Sequence, residues 1–392
     1  MQFKHIIGQK SIIHRLIQSV YDARVSHAQL FLGPEGSGKL PLAIAYAQYI
    51  NCENRQPEDS CGVCRSCRQF EKLVHPDLHF IYPVSTTRDV KEKPSSKQFI
   101  KPWRELMLDN HGYISLSDWY EKIGIENKQG IINAEDCNDI IKTLSYKSYE
   151  SEYKVMIIWM VEKLFHSAAP KILKILEEPP EKTLFILISE NQDQIINTIL
   201  SRTQLLRIPK IETEILFTTL KSKYALPDSE IRKTVQLANG NFRNAICFIE
   251  EKESENEFFN LFRYWMRACY GGIEKNNDSA DGINFTSKKQ DFISFVSFIS
   301  KSGRETQKSF LAYSLLMIRN CLLYNTNNAI LPYLDAEESD FVAKFSQFIH
   351  NKNVEQITGE INKAIYHIER NANPSILFTD LSFTCSRLIK SN

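Results

Sequence analysis

Leu30-Phe31-Leu32-Gly33-Pro34-Glu35-Gly36-Ser37-Gly38-Lys39-Leu40 is the stretch that decides the fold of this chain. An apolar run enters a Gly-rich turn and leaves it into a helix rich in Ala and Leu, Leu42 to Ile50. This is the setting in which G-x-x-x-x-G-K-[ST] cradles phosphates. The glycines let backbone N–H groups converge, the helix N-terminus supplies positive potential, and the lysine reaches the terminal phosphates. Gly33, Gly36, Ser37, Gly38 and Lys39 are therefore the candidate nucleotide-binding residues. Leu40 departs from the motif, because a hydroxyl there would ligate Mg²⁺.

Outward from this loop, apolar runs alternate with helical patterns. Val155 to Val161 reads as a buried strand, followed by a helix from Ala168 to Glu177 with Ser167 as N-cap and Pro179-Pro180 as its stop. Thr183 to Ser189 is another buried-strand run. Short, fully apolar strands between helices predict a parallel sheet covered on both faces, an α/β domain over residues 1–208. Pro83 to Gly130 breaks the rhythm. It carries Trp103 and Trp119 in helix-like surroundings and reads as an insertion, to which the sequence assigns no role. Past Pro209 the period is helical. Residues 209–252 form a small domain punctuated by Pro227 and Gly240, and 253–392 a larger helical one, interrupted by a polar loop from Gly271 to Gln290.

Hydrolysis needs an Asp-Glu pair at the end of a buried strand, one carboxylate for the metal and one to polarise water. The matching strand instead runs Val155-Met156-Ile157-Ile158 into Trp159-Met160-Val161-Glu162. If the strand continues at about 3.3 Å per residue, Glu162 falls far beyond the phosphate. With Leu40 also wrong, hydrolysis and Mg²⁺ are not expected. The loop either holds the phosphates of ATP weakly through Lys39 and its N–H groups or, with Leu40 and Glu35 in place, stays empty.

Cys52, Cys61, Cys64 and Cys67 have zinc-site spacing, with overlapping C-x-x-C steps and Cys52 to close a tetrahedron. Four thiolates leave no open position, so the expected Zn²⁺ is structural, in a module over residues 51–70. His75 and His79 lie close enough to be spare ligands, but read as ordinary surface histidines. Arg202, in Ile199-Leu200-Ser201-Arg202-Thr203, could reach a phosphate in an adjacent subunit, although a surface salt bridge is the commoner fate of an arginine. Arg243 opens a helix, where it either leans onto a nucleotide or is solvated.

Lys and Arg total 48 against 47 Asp and Glu, a net charge of +1, which excludes a strongly basic nucleic-acid binder. No apolar run has the length of a membrane span and the first residues lack a signal-peptide core, so a cytoplasmic protein is expected, with no membrane partner. In a reducing compartment nine cysteines argue for metal or free thiols.

Taken in order, these residues resemble one family, the clamp-loader subunits of bacterial DNA polymerase III (gamma/tau and delta-prime) within the AAA+ ATPases. The match includes Phe3 with Ile7-Gly8-Gln9, the phosphate loop, the inserted cysteines, Leu176-Glu177-Glu178-Pro179-Pro180, Ser201-Arg202-Thr203, Gly240 to Ala245 and Glu369 to Pro374. The resemblance implies an AAA+ domain, a helical lid and an all-α collar. It also implies partners: gamma/tau and delta subunits in a hetero-pentamer that places a sliding clamp on primed DNA. Leu40, Trp159 and Met160 resemble the delta-prime pattern, in which the nucleotide site is commonly degenerate. Ser201-Arg202-Thr203 resembles a Ser-Arg-Cys motif whose arginine acts as a finger at a neighbour's ATP, and Arg243 matches the second-sensor arginine. The alternatives are a gamma-like subunit hydrolysing ATP through Lys39 and Glu162, and an AAA+ adaptor in DNA repair.

Overall fold

The computed structural model describes residues 1–125, 128–165, 168–250, 253–271, 288–327 and 334–390. Ser167, expected to cap a helix, and most of the polar loop from Gly271 to Gln290 lie outside these residues.

The chain forms two compact units, residues 1–223 with 239–244, and residues 224–238 with 245–392. In the first unit the elements run α1 (Lys10–Tyr21), β1 (Ala28–Leu32), α2 (Lys39–Ile50), α3 (Arg65–Glu71), β2 (Leu78–Ile81), α4 (Ile100–Asp109), α5 (Leu116–Lys122), α6 (Ala134–Ser145), β3 (Lys154–Trp159), α7 (Ala169–Glu177), β4 (Thr183–Ser189), α8 (Asn197–Leu200), β5 (Gln204–Arg207) and α9 (Thr213–Lys223). The strands make one sheet in the order β2-β3-β4-β1-β5, and every neighbouring pair is parallel. Every residue of β1, β3 and β4 is buried, as helices on both faces of a parallel sheet require. β5 is the edge, and only its Leu206 is buried.

Parallel register brings the strand ends together on one side. Leu32 pairs with Ser189 and Arg207, and Trp159 with Ile188. The loop after β1 therefore lies beside the ends of β4 and β5, outside the carboxyl ends of the strands where α/β sheets bind ligands.

α2 is buried along its whole length. Its alternating Ala43, Ala45 and Ala47 let it sit close against neighbours on all sides. One of these neighbours is the sheet, and another is the region predicted as an insertion. That region contains α4, α5 and a short 3-10 turn, and its residues share one apolar core with α2 and the sheet. Tyr82 stacks on Trp103 at 4.0 Å between ring centroids, and Trp103 meets Trp119 edge-on at 5.2 Å. Trp119 donates from Nε1 to the Pro83 carbonyl at 2.8 Å. Edge-to-face pairs of this kind add about 1 kcal/mol each beyond burial. The insertion is thus a folded extension of the core.

The second unit is helical throughout its described residues. It holds α10 (Asp228–Ala238), most of α11 (Phe242–Glu250), α12 (Glu253–Gly271), α13 (Lys288–Lys301), α14 (Arg304–Asn327), α15 (Ala336–Phe345), α16 (Val354–Glu369) and α17 (Pro374–Lys390). Its core centres on Trp265, stacked on Phe295 at 5.5 Å and donating to Ser382 Oγ at 2.8 Å. A buried polar group joins it: Glu338 accepts from Tyr313 at 2.6 Å and pairs with Lys233 at 2.9 Å. The expected lid range, 209–252, is divided between the two units. Among the described residues, no helix is long and apolar enough to cross a membrane.

Candidate nucleotide, metal and arginine sites

The loop from Gly33 to Lys39 makes the turn its sequence calls for. Gly36 (φ +68°) and Gly38 (φ +86°) occupy the left-handed region that glycine alone enters without strain. Lys39 is 5% exposed. Its ammonium donates to the Pro34 carbonyl at 2.5 Å and lies 3.5 Å from a carboxylate oxygen of Glu190, just past β4. Ser37 Oγ donates to the same Pro34 carbonyl at 2.7 Å. Leu40 points into the apolar core. The one side chain that would have to meet a metal is packed among hydrocarbon.

The space beside the loop is used by the chain itself. A Cβ at Gly36 would overlap the Asn241 side chain, and one at Gly33 would overlap the Ile208 carbonyl. A Cβ at Gly38 would come within 3.2 Å of the Tyr113 ring and hydroxyl. Asn241 also donates to Glu35 at 3.3 Å, and the Phe242 N–H donates to the Gly36 carbonyl at 3.3 Å. Tyr113 is buried; its hydroxyl accepts from the Ile7 N–H at 2.9 Å and its ring packs edge-on to Phe242 at 4.8 Å. Gln9 Nε2 donates to the Ser37 and Pro209 carbonyls, at 3.1 and 2.7 Å.

Arg243 is mostly buried and is held by its own chain. Its guanidinium grips Asp118 of α5 in two bonds, Nε to Oδ2 and Nη2 to Oδ1, both 2.9 Å. Asp118 is held for this by a reciprocal cap with Ser115, whose N–H donates to Oδ2 at 2.8 Å. Burial pushes the Asp118 carboxyl up, but the bonds from Arg243 and Ser115 outweigh it, and its pKa lies below the usual range.

The strand-end carboxylate requires a correction. β3 does not continue to Val161; it stops at Trp159, Met160 turns into the left-handed region (φ 58°), and Val161–Lys163 form a 3-10 turn. Projection along an extended strand therefore does not apply to Glu162. The turn brings it back to the end of β4, where Oε1 accepts from the Glu190 N–H at 3.0 Å. Its burial raises its pKa. Glu162 and Lys39 both meet Glu190, the first at its N–H and the second at its carboxylate. Trp159, at the expected acid position, packs on Trp103 of the insertion at 5.2 Å.

Cys52, Cys61, Cys64 and Cys67 converge, their sulfurs all within 4.8 Å of one another. Cys61 and Cys67 are 3.9 Å apart and Cys67 and Cys52 3.6 Å. A tetrahedral cage with metal–sulfur bonds of about 2.3 Å sets sulfurs about 3.8 Å apart, so the four fit a single metal ion. The N–H groups of Cys61, Cys64 and Cys67 point at the sulfurs of Cys52, Cys61 and Cys64, at 3.3 to 3.4 Å. Slight burial works against the Cys61 thiolate, yet N–H donors from Val63 and Cys64 bring its pKa down to about 6. Burial and the neighbouring Cys64 push Cys67 up. Four crowded thiols cannot all ionise unless a cation offsets them. Asp59 ties the knot to the N-terminus by accepting from the Phe3 and Lys4 N–H groups, both at 3.0 Å.

His75 corrects the sequence expectation: it is 2% exposed, not a surface residue, and His79 is half-buried. His75 Nδ1 accepts from the Asp77 N–H at 3.1 Å, so Nε2 carries the proton and donates to Ser151 Oγ at 2.9 Å.

Arg202 lies just past α8, with its side chain one-third exposed. Nε donates to Glu177 Oε1 at 2.7 Å, Nη1 to the Thr198 carbonyl at 2.9 Å, and Nη2 also pairs with Glu177. Sequence reasoning missed Tyr113, Asp118, Glu190 and Asn241. Only Asp118 carried a local signal, the Ser115-x-x-Asp118 cap, and that signal says nothing of Arg243.

A family model described as DNA polymerase III, delta subunit, matches residues 8–212. The DNA polymerase III gamma subunit of Buchnera aphidicola subsp. Acyrthosiphon pisum is 27% identical over 253 residues, 63% of this chain and 58% of that one. The delta' subunit of Bacillus subtilis is 28% identical over 198 residues, 50% of this chain and 46% of that one. The delta' subunit of Haemophilus influenzae is 26% identical over 255 residues, 65% and 64% of the two chains. This chain therefore spans less than two thirds of each of these relatives. A gamma subunit-related protein from Thermotoga maritima of known structure aligns with a TM-score of 0.37 at 13% identity, over 98% of this chain and 100% of that one.

Proposed function

The chain belongs to the clamp-loader family of DNA polymerase III, and from that premise we propose that it is a delta-prime-like member that turns over no ATP itself and acts on the ATP of a neighbour. The observation that carries this reading is the loss of both metal-handling positions, Leu40 in the apolar core and Trp159 at the end of β3. Neither side chain has an oxygen that could ligate Mg²⁺ or accept from its water. In this reading Arg202 supplies the finger in trans, residues 209–252 act as the lid, and 253–392 join a collar with gamma/tau and delta subunits. Zn²⁺ on the four cysteines staples the α2–α3 corner, and the assembled ring places a sliding clamp on primed DNA.

The test is reconstitution. With gamma, delta, clamp and primed DNA, Arg202→Ala lowers the DNA-stimulated ATPase of the complex while assembly survives. An unchanged rate at saturating clamp and DNA removes the trans role.

A second reading, hydrolysis by this chain, draws on Glu162 lying beside Glu190 and so near Lys39. Mg²⁺-dependent turnover by the purified chain alone, abolished by Lys39→Ala, would establish it in place of the first.

A further inference from the structure

The insertion meets the phosphate loop and the elements around it at four points that local sequence does not connect. Tyr113 lies against Gly38 and is bonded to Ile7, Trp103 packs on Trp159, Gly112 sits on Pro41 at the first turn of α2, and Asp118 holds Arg243. A phosphate chain needs the surface over Gly36 to Lys39 and a cation to meet its charge. Tyr113 stands against Gly38 and Asn241 against Gly36, and the candidate cations Lys39 and Arg243 are faced by Glu190 and Asp118.

We propose that the insertion, residues 83–130, is a plug built into the chain, in which Tyr113 and Asp118 take the places that the body and the charge of a nucleoside polyphosphate would fill. The proposal deepens the reading of a non-hydrolysing member and concerns the same loop. It gives the insertion a role and explains how a loop with intact glycines and lysine is kept from ATP.

The plug is rigid where it has to be. Trp119 and Trp103 anchor α5 and α4 in the same core as α2, so Tyr113 and Asp118 cannot drift from the loop without breaking that core. The Ser115 cap fixes the Asp118 carboxylate so that both oxygens face Arg243. That pair is 16–17% exposed, bidentate and charge-assisted, which sets it apart from surface pairs that exchange freely with water. A nucleotide must break it, and must also displace a buried tyrosine.

The experiment uses the full chain alone, so its result is independent of whether the chain assembles into a clamp loader. A fluorescent ATP analogue is titrated and followed by anisotropy. The wild type shows no saturable binding in the range where Tyr113→Ala/Asp118→Ala binds, a gain of about tenfold or more in affinity. Adding Lys39→Ala to that variant abolishes the gain, which locates it at the loop. If the alanine pair fails to fold by circular dichroism, Asp118→Asn alone, which leaves the buried tyrosine in place, decides by the same criterion with a smaller gain. Wild-type binding as tight as that of the folded variant, or a folded variant that binds no tighter than wild type, overturns the plug.

Discussion

Glu177 and Arg202 are bound to each other across two separate sequence stretches, the Arg202 Nε donating to Glu177 Oε1 at 2.7 Å. One ends α7 just before Pro179-Pro180, and the other follows α8. The guanidinium proposed to reach a neighbour's phosphate is therefore held by a carboxylate of its own chain. Both side chains are one-third to one-half exposed, so the pair adds at most about 1 kcal/mol to stability. Glu177→Ala should change chemical denaturation of the chain by no more than that. In the reconstituted complex it should alter the DNA-stimulated ATPase, because the arginine it releases is the one proposed to act in trans. A Glu177→Ala complex with wild-type kinetics would mean the ion pair is only a surface contact.

The cysteine cluster predicts one equivalent of zinc in the purified protein, measured by elemental analysis. Cys64→Ser should lower the metal content and destabilise the corner where α2, α3 and the N-terminus meet. The effect should spread to the N-terminal residues, because Asp59 holds the Phe3 and Lys4 N–H groups. Loss of zinc binding with no change in thermal unfolding would contradict a structural metal.

Trp119 should be among the most costly positions of the first unit. It is fully buried, packed on Trp103 and Tyr82, and bonded to the Pro83 carbonyl. Trp119→Ala should destabilise by about 3–5 kcal/mol, the usual range for truncating a buried aromatic. Equilibrium denaturation followed by circular dichroism checks it. A cost below about 1 kcal/mol would show that the insertion folds apart from the core.

Asp136 gives a pH dependence of definite sign. Burial raises its pKa to about 6, against N–H donors from Ser96 and Asn133 that only partly offset it. The folded state therefore binds a proton that the unfolded state has already lost, over the window from about 4 to 6. Stability contributed by the protonated form is present at the acid end of that window and is lost as pH rises through 6. The loss is on the order of 2–3 kcal/mol. Asp136→Asn should flatten this slope. Asp118, whose pKa is lowered, contributes the other way, with stability that is lost as pH falls. Denaturation midpoints of wild type and Asp136→Asn between pH 4 and 7 must diverge; parallel curves would refute the assignment.

Much of the α/β unit was legible because its signals are local. The apolar run Thr183 to Ser189 is β4 with the same ends, and the Gly-rich turn sits between a strand and a helix as its glycines demand. Four cysteines at C-x-x-C steps converge because short loops leave them little choice. What failed was any inference that extended an element past its end. The strand through Trp159 stops where Met160 adopts a left-handed conformation, which an apolar run does not announce, and Glu162 moved accordingly. His75 read as exposed because a partner that buries it is remote in sequence: Ser151, 76 positions on, meets its far nitrogen.

The residue types alone determined that a phosphate-type loop exists, that Leu40 and Trp159 stand at the positions where metal-handling groups are expected, and that four thiols are spaced to share a site. Such properties follow from spacing along the chain and from the chemistry of each side chain. Only tertiary structure decided what faces that loop. Asp118 and Arg243 are 125 positions apart, and Tyr113 and Ile7 106, yet each pair is in direct contact. No periodicity encodes such contacts, because they depend on how the insertion packs against the sheet, as Trp103 does on Trp159, and packing is a property of assembled surfaces.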